Sequence, residues 1–343
     1  MADGGERQRK AYIGSFTAAG GPGIVAAAVT PDTGALTLLS AYDGLPDPSY
    51  LALAPDGGTL YAVSETAEGT VAAFRVTGDR PEPAGRPVPV GGGPTHLGLY
   101  DGHVLTADYG SGSVTAVPLR PDGTLAGPAS GTLRHTGSGP HTPRQQAPHA
   151  HQVQADPSGR WAVSVDLGTD SVRVCTLTGG APAPHREIAL RPGSGPRHLA
   201  FHPDGEYAYV LNELAPTLTV CRWDAAEGLL KPLSEVQVLA DAPAGDAYPS
   251  GVVVSPDGRF VWTATRGEDV MSTFAVAGDE LRLVATVACG GHWPRAIAES
   301  GGFLYVANER SGEVTWFALD PETGLPARAG AVKVPAASCV VFD

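Results

Sequence analysis

A turn motif that recurs along the chain constrains its fold more than any other feature. Five segments share one design: LALAPDGGTLYAVSE, HQVQADPSGRWAVSVD, HLAFHPDGEYAYVLNE, GVVVSPDGRFVWTATR and AIAESGGFLYVANE, with a weaker copy in HLGLYDGHVLTADY. Each is an alternating apolar run, a glycine turn and a second run rich in Val, Tyr and Trp, which is the pattern of a β-hairpin. The turn glycines are Gly57, Gly102, Gly159, Gly205, Gly258 and Gly302. They are spaced by 45, 57, 46, 53 and 44 residues, a mean of 49, which divides the 343-residue chain into seven units. A third strand follows in most units, as in GTVAAFRV, DSVRVCTL and EVTWFAL, and then a more variable fourth, as in GALTLLS and GLLKPLS. Four short strands per period of about 40–50 residues, with no 3.6-residue apolar spacing, predict the blades of an all-β, seven-bladed propeller.

The ends of the chain sharpen this. Residues 12–39 match the second, third and fourth strands of a unit that lacks its first, and VPAASCVVFD at the C-terminus matches a first strand. The C-terminal strand is therefore expected to complete and close the first blade, removing two sheet edges. One propeller domain over 11–343 is expected, preceded by a flexible tail over 1–10.

Composition excludes several alternatives. Hydrophobic residues make up 42% of the chain, enough for a large core, so it is not a disordered polymer. No run approaches 18 apolar residues, so no membrane span is expected. A net charge of −13 with no basic stripe argues against nucleic acid as a partner. Cys175, Cys221, Cys289 and Cys339 lie 46, 68 and 50 residues apart without a Cys-x-x-Cys. With no apolar signal segment in MADGGERQRK, this reads as four reduced core thiols in a cytoplasmic protein.

Repeat-equivalent positions of a propeller form rings around its channel, and two rings are uneven. The first, at the start of the inner strands, reads Ser49, Thr95, His151, Arg197, Ser250 and Arg295, with Ala336 in the closing strand. Small residues there pack, whereas one His and two Arg need solvent or an anion. The second lies at the end of the second strands. Its first half is uniformly short and polar (Ser15, Ser64, Asp108, Asp166, Asn212, Thr265, Asn308) and is expected to bond turn backbone. Its second half reads Phe16, Glu65, Tyr109, Leu167, Glu213, Arg266 and Glu309, too varied for packing alone.

The longest interval between turns contains LRHTGSGPHTPRQQAPHAH, which carries Arg134, His135, His141, Arg144, His149 and His151 and no acidic residue. It reads either as a solvated loop or as a cover for the channel mouth that contacts a carboxylate or phosphate. His149 and His151 share a strand face and could hold a metal, but no acidic or Cys ligand has matching spacing and the nearby cations would repel one. No metal and no cofactor are expected. His96, His198 and His202 sit inside repeat units, where packing is the commoner role. The sequence has no nucleophile elbow, Walker loop or dinucleotide fingerprint.

RQQAPHAHQVQADPSGRW, PGSGPRHLAFHPDGEYAYVLNEL, VSPDGRFVWTATRGED and GGHWPR together closely resemble the propeller-type 6-phosphogluconolactonase (lactonase) family, along essentially the whole chain. The resemblance implies metal-independent chemistry on small lactones of acidic sugars. The family's His, Arg, Glu and Arg fall on His151, Arg197, Glu213 and Arg266, four positions that the uneven rings also single out. Relatives commonly carry Asn where Thr265 precedes Arg266, and many carry Ala-Glu where this chain has Ser250–Gly251.

The resemblance thus leads to hydrolysis of an anionic, 6-phosphogluconolactone-like sugar lactone. His151 or Glu213 would be the base, with Arg197 and Arg266 holding the oxyanion and acid group. Arg144, His149, His198 and Arg295 are expected as further substrate contacts. A cycloisomerase or lyase on the same residues, and a non-enzymatic propeller that binds a protein, are the alternatives; the repeated Gly-His and Trp-Asp pairs of one common protein-binding type are absent. A monomer or weak homodimer is expected.

Overall fold

The structure is a computed structural model describing residues 8–343, and in it seven antiparallel sheets stand around a channel. The first blade is built in the order Ala337–Phe342, Lys10–Ser15, Ile24–Val29, Leu36–Tyr42, so the C-terminal strand closes it as expected. Of the expected N-terminal tail, residues 1–7 lie outside the described residues. Lys10 already opens a strand; its ammonium pairs with Asp79 at 3.0 Å and its backbone N–H donates to Asp343. The second blade differs from the others in a fourth strand split into Glu82–Pro83 and Val88–Pro89, both against Thr70–Arg75. The six turn glycines all take left-handed φ, between 68° and 80°, which explains why the tight hairpins recur at glycine.

Strand alternation distributes the core. Along Tyr207–Asn212, Ala208 and Val210 pack toward the fourth blade, while Tyr209 and Leu211 pack toward the sixth. The same division in every blade yields seven apolar clusters, one in each seam between neighbours. All four cysteines are free, buried thiols; Cys175 and Cys221 occupy equivalent third-strand positions.

A polar latch crosses each seam, always from one blade to a main-chain carbonyl of the next. Tyr12 reaches Val76, Tyr61 reaches Gly123, Tyr100 reaches Arg160, and Trp161 reaches Ala225. His202 bonds Gly258, Trp262 bonds Gly324, and Tyr305 closes the ring on Gly34 at 2.9 Å. These large side chains bury area and satisfy a carbonyl at once. Tyr305→Phe removes one buried bond at the seam that closes the ring and strands its carbonyl. It is expected to lower stability by about 1–2 kcal/mol, read as a lower urea midpoint with unchanged slope.

Candidate functional site

One backbone irregularity builds the mouth of the channel. In the fifth blade Pro196 pairs with Asn212 and His198 with Leu211, so Arg197 between them has no opposite number. The same β-bulge leaves Thr95, His151, Ser250 and Arg295 unopposed in their blades. Bulges bend a strand and re-aim a side chain, and here the re-aimed residues are the first uneven ring. In the closing strand the shift falls between Ala337 and Cys339, so the ring member is Ser338 and not Ala336 as the sequence suggested. The irregular strand start there has Pro335 three residues before the bulge, as the fourth blade has Pro148 before His151, whereas the third, fifth, sixth and seventh blades have proline immediately before.

The second ring is fixed by a repeated backbone bond. The N–H groups of Phe16, Glu65, Tyr109, Leu167, Glu213 and Glu309 donate to the carbonyls of Ala336, Asp47, Gly93, His149, Gly195 and Trp293, at 2.7–3.1 Å. Each acceptor lies two residues before the blade's first-ring residue, Ser49 in the second blade; in the sixth blade Arg266 stands opposite Tyr248 in the ladder. The polar residues just before them are all buried. Ser15 and Asp166 bond turn backbone as expected, at Gly23 and at the N–H groups of His149 and Thr169. Asp108 bonds both the Gly91 backbone and the Thr115 hydroxyl, while Asn212 and Asn308 instead bond hydroxyls of the neighbouring third strand, including Thr219 and Thr315.

The rings converge on a cavity of about 240 Å³ lined by Glu65, Thr95, Tyr109, Arg144, His151, Arg197, Glu213, Arg266 and Arg295. At its centre Glu213 pairs with three guanidiniums: it accepts from Arg144 Nη2 at 2.7 Å, while Arg266 Nη2 at 2.9 Å and Arg197 Nε at 3.1 Å lie in ion-pair contact. Burial alone would raise the carboxyl pKa, but Arg266, Arg197 and Arg144 outweigh it and hold it at about 2. Arg295 is held between Glu65 at 3.2 Å and Glu309 at 3.3 Å and lies over the Phe16 ring. Arg197 also donates to the Ser250 carbonyl, at the position where many relatives carry Ala-Glu.

His151 is 6% exposed, and its Nδ1 has no hydrogen-bond partner among the described residues. Burial, followed by the charges of Arg197, Arg295 and Arg266, pushes its pKa well below the usual histidine value, so the imidazole is neutral at neutral pH. Below it lie His198, 5.3 Å away between ring centroids, then His96 at 5.5 Å from His198 and tilted against the Tyr50 ring at 3.9 Å.

Of the cationic run, Arg144 and His151 reach the cavity. Arg144 is carried by a strapped loop: Gln145, fully buried, bonds the Leu167 carbonyl and Asp170, while His135 bonds Asp166 at 2.6 Å. His149 does not line the cavity. It braces Tyr109, stacking on its ring at 4.3 Å and bonding its carbonyl at 2.9 Å, and Tyr109 in turn accepts from Arg144 at 3.2 Å. His198 also lies outside the cavity, bordering a larger space of about 540 Å³ farther along the inner strands. Glu65 and Tyr109 were legible as ring members but not singled out, though they carried the same unevenness that marked Glu213; Thr95 read as one of the small packing residues of the first ring. Among the described residues no group of three His, Cys, Asp or Glu could hold a metal ion, and His149 and His151 do not form one.

The family model for the seven-bladed β-propeller lactonase matches residues 10–342. A 6-phosphogluconolactonase of Bacillus subtilis is 34% identical over 341 residues, spanning 96% of this chain and 97% of that one. The periplasmic gluconolactonase of Pseudomonas aeruginosa superposes with a TM-score of 0.92 at 30% identity, over 98% of this chain and 99% of the other. A Lactobacillus plantarum protein structure gives a TM-score of 0.91 at 27% identity, over 98% and 99%.

The buried imidazoles make stability depend on pH. Burial and the charge of Arg197 lower the pKa of His96 to about 3, and His198 is lowered in the same way. Below about pH 6.5 the unfolded chain binds protons that folded His96, His151 and His198 refuse, so stability falls with acidification. The loss is expected to reach ~1.4 kcal/mol per pH unit for each group. His96→Phe should remove about one proton's share of that slope between pH 6.5 and 5, measured by urea denaturation across pH.

Proposed function

This chain belongs to the seven-bladed β-propeller lactonase family, and from that premise we propose that it hydrolyses a small anionic sugar lactone by water attack on the ring ester. One observation carries the reading: a neutral imidazole shares a cavity with four guanidiniums and two carboxylates, in a protein whose net charge is −13. That is a local excess of positive charge where an ester carbonyl would develop negative charge. The names of relatives supply two candidates, 6-phosphogluconolactone and gluconolactone.

His151 takes the role of base. Glu213, held at a pKa of about 2, is already paired with three arginines, and its work is to fix the arginine forks. Water attacks the carbonyl carbon as His151 removes its proton, and the tetrahedral oxyanion forms against Arg197, Arg266 and Arg295. The acyl C–O bond then breaks, and the imidazolium returns the proton to the ring alkoxide. The cations that depress the imidazole pKa are compensated as the oxyanion forms, so its basicity rises in step with the transfer. Tyr109 and His149 support Arg144 at the rim.

His151→Ala is expected to lower kcat/KM at least about tenfold with an unchanged circular dichroism spectrum. Wild-type rates in that variant would refute the assignment. Turnover in heavy-oxygen water distinguishes hydrolysis, which places label in the acid, from cycloisomerisation, which places none. Because the His151 pKa is depressed, the acidic limb of kcat/KM is expected below the usual histidine range, leaving activity level between pH 6.5 and 8.

A further inference from the structure

The residue two before the first-ring position takes left-handed φ in five blades: Asp47 at 43°, Gly93 at 60°, Gly195 at 58°, Trp293 at 66° and Ala336 at 52°. The carbonyl of each accepts the repeated bond from the second ring, so the conformation goes with that bond in five blades, although His149 of the fourth accepts it without left-handed φ. Four blades meet it with Gly, Asp or Ala. The seventh puts a tryptophan there, a bulky side chain in a region where such residues are strained. The strain is tightly held. Trp293 N–H donates to Asp269 at 2.8 Å and its carbonyl accepts from Glu309, while His292 bonds Asp269, Ser311 and the Arg310 N–H.

The indole so placed is flanked by two cations at the mouth. The Arg310 guanidinium carbon lies 3.3 Å from its ring centroid and that of Arg266 lies 5.6 Å away, with the Tyr248 ring at 6.2 Å. Arg197, Arg266 and Arg295 are already paired with Glu213, Glu65 and Glu309. Arg310 is exposed and stacked, and no carboxylate pairs with it among the described residues. A stacked guanidinium keeps its N–H edge free for a fork onto an oxyanion.

We infer that Trp293 and Arg310 form a docking lip for the phosphate of a phosphorylated sugar lactone, with Trp293 setting the plane of Arg310 beside Arg266. The inference rests on the lactonase reading and assigns its substrate's acidic tail to a place outside the catalytic cavity. The ester carbonyl then sits at His151, and the dianion meets the guanidinium that no internal carboxylate neutralises.

The test compares hydrolysis of a 6-phosphorylated aldonolactone with that of its unphosphorylated counterpart by wild type, Arg310→Gln, Trp293→Phe and Trp293→Ala. Arg310→Gln is expected to raise KM for the phosphorylated lactone about tenfold with kcat nearly unchanged and the unphosphorylated lactone unaffected. Trp293→Ala should do the same in part, and Trp293→Phe should retain most of the preference. An unchanged ratio of kcat/KM between the two lactones in Arg310→Gln, or an equal loss on both, would overturn the lip. Calorimetric binding of the 6-phosphoaldonate separates the two readings. If wild type opens neither lactone yet binds this acid with an affinity that Arg310→Gln lowers about tenfold, the hydrolytic reading falls and the lip stands; equal affinity in both proteins overturns the lip.

Discussion

Pairing between Ala337–Phe342 and Lys10–Ser15 ties the last strand of the chain to the first blade, and every feature of the mouth depends on that closure. Seven apolar seams can all be filled only if the first blade is complete, because each cluster draws on two neighbouring sheets. An open ring would expose two sheet edges and leave the seam between the seventh and first blades half built. Closure also sets the radius at which the bulged residues face one another. Arg295 of the seventh blade thereby reaches Glu65 of the second, across 230 residues of sequence.

At that mouth, electrostatics and backbone geometry are inseparable. Four arginines in so small a space would repel one another and carry a heavy desolvation penalty. Glu213, Glu65 and Glu309 offset both, and their positions are set by the bonds their own N–H groups make to the preceding blade segments. The cluster is therefore a rigid, preorganised field, and His151 sits inside it as the uncharged member.

Much of this was legible in the sequence, for physical reasons that can be named. Turn glycines at a fixed period report the blades, because tight hairpins need left-handed φ. Rings of equivalent positions report the site, because packing alone would repeat evenly. The rest depends on register and through-space pairing. The closing strand's ring member, Ser338, was missed because strand pairing sets the register, and there the bulge falls two residues beyond the position that repeat alignment picks. Asn212 was assigned to turn backbone, yet it lies across from Thr217 and within reach of Thr219, a relation only the paired strands reveal. Of the cationic run, Arg144 points at the cavity because its neighbour Gln145 is anchored on the other side of the loop, which no charge pattern encodes.

The latches between blades also bear on how such a chain can diverge. Donors at the seven seams are Tyr, Trp or His, and every acceptor is a main-chain carbonyl. A carbonyl is supplied by any residue, so the acceptors at Val76, Arg160 and Ala225 are free to drift, whereas Gly34, Gly123, Gly258 and Gly324 are held to glycine by left-handed φ. Mutational tolerance around the ring is thus uneven, strict on the giving side of every seam and loose on the receiving side of three. Duplicated blades could lose nearly all identity to one another and still fit together, leaving their inner ends to specialise one at a time.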